Sequence, residues 1–143
     1  MSAESFHNGA VFGTWRLVSL NAIRPNGEST TGWLGAKPTG LLVYDPSGAM
    51  CVQIMRGPSE PPLRVSDSSH LSYYAYFGTF EIDAGAGTIA HHIQGGVLPE
   101  EIGVTYRQDL ELSWDELTLL TAPHQSEGER RRNRIVWQRA KRD

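Results

Sequence analysis

One cysteine, Cys51, stands in 143 residues. An internal disulfide is therefore impossible, and so is a metal site built on thiolates. Cys51 sits in an extended apolar stretch, where packing is the plain reading; a nucleophilic role would need a base and an electropositive surrounding. Charge of one sign is also missing. Thirteen Lys and Arg against 16 Asp and Glu give a formal net charge of −3, without the clustered basic surface that nucleic acid requires. The one basic run, Arg130 to Arg132 followed by Arg134, lies beside Glu127 and Glu129 and reads as a solvated strand end. No stretch approaches membrane-spanning length, and the first ten residues lack a basic segment followed by an apolar run. A cytoplasmic protein with no membrane and no nucleic-acid partner is expected.

Helical periodicity is scarce as well, and what stands in its place is alternation. Thr39 to Arg56 reads as two strands folded back on a type I turn: Asp45 at the first position, Pro46 fixing φ at the second, Gly48 last, where φ must be positive. With Pro46, Ser47 and Gly48 as the loop, Tyr44 pairs with Met50, Val43 with Cys51, Leu42 with Val52 and Leu41 with Gln53. One face then carries Leu42, Tyr44, Met50, Val52 and Ile54, the other Leu41, Val43, Cys51, Gln53 and Met55. Both faces are mostly apolar, so the hairpin belongs inside a larger sheet covered on both sides.

Further strands are expected at Gly13 to Leu20, with Trp15, Leu17 and Ser19 on one face, and at Tyr76 to Asp83, Thr88 to Gln94, Val104 to Leu112, Leu117 to Thr121 and Arg131 to Gln138. Asn21 to Pro38 reads as a long irregular excursion. Gly57 to Ser69, with three prolines, reads as a mobile segment, His70 to Ala75 as one helical turn, and Pro123 to Gly128 as a polar loop. About eight strands joined mainly by short turns predict an all-β chain, a single domain over residues 1–143. An up-and-down antiparallel barrel removes sheet edges, and eight strands enclose room for side chains or one small ligand.

Gly13-Thr14-Trp15, the Gly40 to Tyr44 strand with its Asp-Pro-Ser-Gly turn, Met50 to Gln53, Ala75 to Gly78, His91-His92-Ile93, Leu117 to Leu119 and Trp137-Gln138-Arg139 together resemble the lipocalin-like domain proteins of bacteria and fungi. The resemblance spans nearly the whole chain. It implies a small β-barrel with a ligand-sized interior, in a family where some related barrels act as cyclases on polyketide-type intermediates. The Gln94 to Gly103 connection departs from the pattern by being short and Gly-rich. The resemblance also implies a C-terminal arginine, Arg134 or Arg139, packed on Trp15.

Candidate site residues come from polar tips on apolar strands. His91 lies between Ile89 and Ile93, so partial desolvation should keep its imidazole neutral and able to pass a proton. The alternative is a core histidine bonded to a tyrosine or a backbone carbonyl. His91 and its neighbour His92 point to opposite faces, so the pair does not chelate one metal, and no metal site is expected. Tyr44 and Gln53 could each orient a ligand oxygen, but from opposite faces; Gln53 is favoured for the lumen, with small Cys51 leaving space beside it and Met55 as an adaptable wall. A cross-strand bond of Gln53 is the alternative. Val43 and Ile93 join the expected ligand-binding set, as do Tyr76 and Arg107, the last needing a carboxylate or an anionic ligand if buried. Trp33 and Tyr73 or Tyr74 could border the opening as an aromatic lid with the proline-rich segment.

No nucleophile elbow, phosphate loop, dinucleotide fingerprint or helical zinc motif occurs, so no cofactor is expected. The first functional reading is a lumen that binds a small, mostly apolar molecule. The second is a cofactor-free cyclase or isomerase acting on a polyketide- or terpenoid-type metabolite, with His91, Tyr44 and Gln53 as the catalytic candidates. The third is an interaction module, a homodimer that buries the apolar outer wall.

Overall fold

The Asp45 to Gly48 turn closes as its residues dictate. Gly48 N–H donates to the Asp45 carbonyl at 2.9 Å, Asp45 N–H to the Ala49 carbonyl at 2.9 Å, and Gly48 takes φ of 94°. It joins β3 (Thr39–Tyr44) to β4 (Ala49–Met55) in the expected register, Tyr44 opposite Met50 and Leu41 opposite Gln53. The computed structural model describes residues 8–61 and 72–141. Around the hairpin stand β1 (Gly13–Ile23), β2 (Ser29–Thr31), β5 (Tyr73–Asp83), β6 (Thr88–Gly96), β7 (Thr105–Leu112), β8 (Glu116–Thr121), β9 (His124–Ser126) and β10 (Glu129–Arg139). The only helical pieces among the described residues are two short 3-10 turns, Asn8–Val11 and Pro99–Glu101.

Eight of these strands form a closed antiparallel barrel, ordered β1-β3-β4-β5-β6-β7-β8-β10, with β10 returning to pair with β1. The short β2 and β9 extend β1 and β10 beyond the closure. Both fall in stretches expected to be irregular, where three-residue runs such as Ser29–Thr31 carry no readable alternation. The helical turn expected at His70 to Ala75 is corrected: Tyr73 to Ala75 belong to β5, paired with Gln53 to Met55, while His70 lies outside the described residues. Most of the proline-rich segment, its residues 62–69, lies outside them too.

Two bulges reset the pleat. In β1, Leu17 pairs with Trp137 and Ser19 with Val136, leaving Val18 unpaired and exposed. Trp15 and Leu17 face the interior before the bulge; Leu20 and Ala22, not Ser19, face it afterwards. In β6, Gln94 is the extra residue opposite the Phe77–Gly78 step.

The interior is packed at one end and hollow at the other. At the packed end Val11, Trp15, Tyr44, Phe80, Leu117 and Trp137 are buried. Trp15 Nε1 donates to the Val11 carbonyl at 2.9 Å, and the Arg139 guanidinium lies 4.3 Å from the Trp15 ring centroid. Arg139 also donates to the carbonyls of Phe12 (2.9 Å), Ala10 (3.2 Å) and Trp114 (3.0 Å), so one planar fork ties the N-terminal segment and the β7–β8 turn across the barrel end. Of the two arginines implied by the resemblance, Arg139 therefore fills the role; Arg134 is exposed.

Candidate functional site

Toward the other end the barrel holds a cavity of about 1120 Å³ that opens to solvent. Leu42, Val52, Ile54, Leu119, Ile135 and Trp137 make its apolar wall, each supplied by an inward position of its strand. The indole N–H of Trp137 is buried and meets no acceptor among the described residues. Polar groups enter this wall in two clusters, one at depth and one near the mouth.

The deep cluster centres on His91, 1% exposed on β6. Tyr44 Oη lies 2.6 Å from its Nε2, Tyr76 Oη 2.7 Å from its Nδ1, and the Gln108 amide nitrogen 3.3 Å from Nδ1. Burial, and secondarily the neighbouring His92, lowers the His91 pKa to about 3, so the imidazole is neutral near pH 7. A neutral imidazole offers one donor and one acceptor nitrogen. Tyr44 is fully buried against Phe80, and among the described residues its hydroxyl has no polar partner besides Nε2. Its proton is satisfied only if it donates to Nε2, which places the imidazole proton on Nδ1, donating to Tyr76 Oη; the Gln108 NH2 group, which can only donate, then bonds to Tyr76 Oη and not to Nδ1. Tyr76 lines the cavity, and its own hydroxyl proton is then available to a bound molecule. Burial raises the pKa of both phenols, so they act as neutral donors.

The second cluster is built on Glu101, which ends the 3-10 turn between β6 and β7 and is 8% exposed. Tyr74 Oη donates to its two carboxylate oxygens at 2.9 and 2.7 Å, and Tyr106 Oη donates to Oε2. Burial first, then the Glu101 hydrogen bonds, raises the pKa of Tyr74 and lifts that of Tyr106 to about 12. Trp33, Tyr74, Tyr76 and Tyr106 follow one another around the wall, with successive centroids 6.4, 5.6 and 6.3 Å apart.

His91, Tyr76, Tyr74 and Trp33 all line the cavity. The structure sends others elsewhere. Gln53, expected to face the lumen, is exposed on the outer wall, and Val43, Cys51 and Met55 share that outward face. Gln53 and Met55 border a separate groove of about 250 Å³ outside the barrel. The physical reason is bulk: Leu42, Tyr44, Met50, Val52 and Ile54 fill the interior and bury completely, whereas an inward Gln53 would leave an amide without a fixed partner. Tyr44 faces inward but lies beneath the cavity, reaching it only through His91. Ile93 is a buried inward residue that does not line the cavity. Arg107 touches the cavity boundary, yet it is exposed and shares the outer face of β7 with Thr105 and Asp109. Asp109 pairs with Arg132, at 2.8 Å.

Glu101, Tyr106 and Gln108 escaped the sequence reading. For Tyr106 and Gln108 a signal existed: β7 alternates Thr105, Arg107, Asp109 and Glu111 against Tyr106, Gln108, Leu110 and Leu112, and the uncharged set is the inward one. Glu101 carries no local signal, because its role depends on tyrosines from two other strands.

A search of the curated proteins finds no match to this chain. The family model described as a lipocalin-like domain matches residues 12–140. With a closed eight-stranded barrel, a tryptophan–arginine pair sealing one end and a hollow at the other, the chain belongs to the lipocalin-like domain family.

Proposed function

We propose that this protein binds a small, mostly apolar molecule in its lumen. The observation that carries the reading is the open cavity of about 1120 Å³, whose aliphatic and indole wall is interrupted by a few fixed polar groups. The Tyr76 hydroxyl would meet an acceptor on the ligand. Trp33 and Trp137 line the cavity, so binding should quench their fluorescence. Titration of a hydrophobic metabolite panel, with native mass spectrometry as the parallel readout, tests the reading. Ile54→Trp narrows the lumen and should weaken binding; unchanged affinity in that variant would place the bound molecule elsewhere.

The chain of Tyr44, His91 and Tyr76 favours a second reading, a cofactor-free cyclase or isomerase in which Tyr76 polarises a substrate oxygen. His91 is then a positioning residue, since both ring nitrogens are engaged by tyrosines. Tyr76→Phe should reduce turnover far more than binding. The homodimer reading rests on Leu41, Met55, Tyr73 and Phe77, exposed on neighbouring strands of the outer wall. Sedimentation velocity over a range of concentrations checks it.

A further inference from the structure

The mouth of the lumen carries one carboxylate, Glu101, that no cation among the described residues neutralises. Glu101 is more than nine-tenths buried, and its partners are two phenols. No described arginine, lysine or histidine pairs with it. Among the basic residues around the cavity, Arg131 is held by Glu129 at 2.7 Å, Arg107 points outward, and His91 is neutral. His92 is on the outer face, bonded to Thr105 at 2.8 Å and 3.5 Å from Glu81. His124 is half-buried, its Nδ1 3.4 Å from the Ala122 carbonyl.

A buried carboxylate is costly unless its charge is met. Two phenol donors meet part of that need, and a carboxylate has about four acceptor sites, so capacity remains for a further donor. The surroundings are unusual for an anion: four aromatic rings, those of Trp33, Tyr74, Tyr76 and Tyr106, run in succession beside it. Aromatic rings with a carboxylate attract an ammonium group and discriminate against anions, because ring quadrupole and charge act with the same sign.

We infer that the lumen selects a ligand carrying a protonated or quaternary amine on a mostly apolar body, with Glu101 as counter-charge and Trp33, Tyr74, Tyr76 and Tyr106 as the walls around the cation. The inference rests on lumen binding as proposed above and adds the charge class of the ligand. The apolar body occupies the deeper wall of Leu42, Val52, Ile54 and Leu119. A carboxylate-bearing ligand such as a fatty acid is disfavoured, since its head group would lie beside Glu101.

Three probes with the same alkyl chain separate the alternatives: decyltrimethylammonium, the neutral N,N-dimethyldecanamide and decyl sulfate, each titrated calorimetrically below its micelle concentration. The cation should bind about ten-fold or more tightly than the amide, the scale of a desolvated cation–π contact joined to a counter-charge, and the sulfate more weakly than both. Glu101→Gln should bring the cation-to-amide ratio close to one while the affinity for the amide is kept. A latch that merely ties the β6–β7 connection to Tyr74 and Tyr106 would change the melting temperature of this variant but not the ratio. Should Glu101→Gln fail to fold, competition in the unaltered protein decides: tetramethylammonium should displace decyltrimethylammonium, whereas tert-butanol should not. Equal binding of cation and amide, preference for the sulfate, or a ratio that survives Glu101→Gln overturns the charge assignment and leaves lumen binding standing. Failure of all three probes to bind overturns both.

Discussion

His91 shows what one buried titratable group does to the whole chain. The unfolded protein binds a proton on this imidazole below about pH 6.5, while the folded protein refuses it until about pH 3. Between those values the unfolded state holds more protons, so stability rises with pH, is complete above about 6.5 and is lost as pH falls toward 3. The slope due to this group approaches about 1.4 kcal/mol per pH unit in the middle of the window. Urea denaturation of the protein and of His91→Gln, from pH 7 down to 4, should give curves that converge as pH falls; parallel curves would show that His91 is not buried neutral. The expectation of a desolvated histidine was legible from Ile89 and Ile93 on either side of it. Its two tyrosine partners were not, because Tyr44 and Tyr76 sit 47 and 15 residues away in sequence and meet it only across the barrel.

At the scale of the element, register was readable and facing was not. Asp45 to Gly48 is a local instruction, so the β3–β4 pairing follows from it. Which side of that hairpin faces inward depends on what the other strands leave unfilled, and with both sides apolar no local rule selects between them. Val18 adds a second source of error, since a bulge inverts the alternation that a sequence reading extrapolates. Glycine supplies a test of how such elements tolerate change. At Gly48, with φ of 94°, an added Cβ meets nothing within 4 Å, so Gly48→Ala should cost only the left-handed penalty of about 1–2 kcal/mol. At Gly78 a Cβ would lie 1.8 Å from the His92 carbonyl oxygen on the neighbouring strand. Gly78→Ala must push β5 from β6 beside the Gln94 bulge, and a cost of about 2–4 kcal/mol is expected. Denaturant midpoints of the two variants check the order; a milder effect at Gly78 would mean that the strands are not so closely apposed.

For the molecule as a whole, closure was legible from strand count and spacing, because eight short-looped strands leave two edges unless they meet. The consequence is measurable in backbone exchange. Trp15 pairs with Leu42 on one side and Arg139 on the other, and Trp137 pairs with Leu17 and Leu117, so at the packed end the first and last barrel strands are laddered on both sides like the central ones. In an open sheet the outward amides of β1 or β10 would exchange through local fraying, independently of global unfolding. In the closed barrel, exchange at Trp15, Arg16 and Val136 to Gln138 should be as slow as at Val52 in β4 and Tyr76 in β5. The three-residue β2 and β9 each pair on one side only and should exchange orders of magnitude faster. Amides of β1 and β10 that exchange as fast as those of β2 would contradict the β1–β10 seam, and with it the enclosed lumen on which the binding proposals depend.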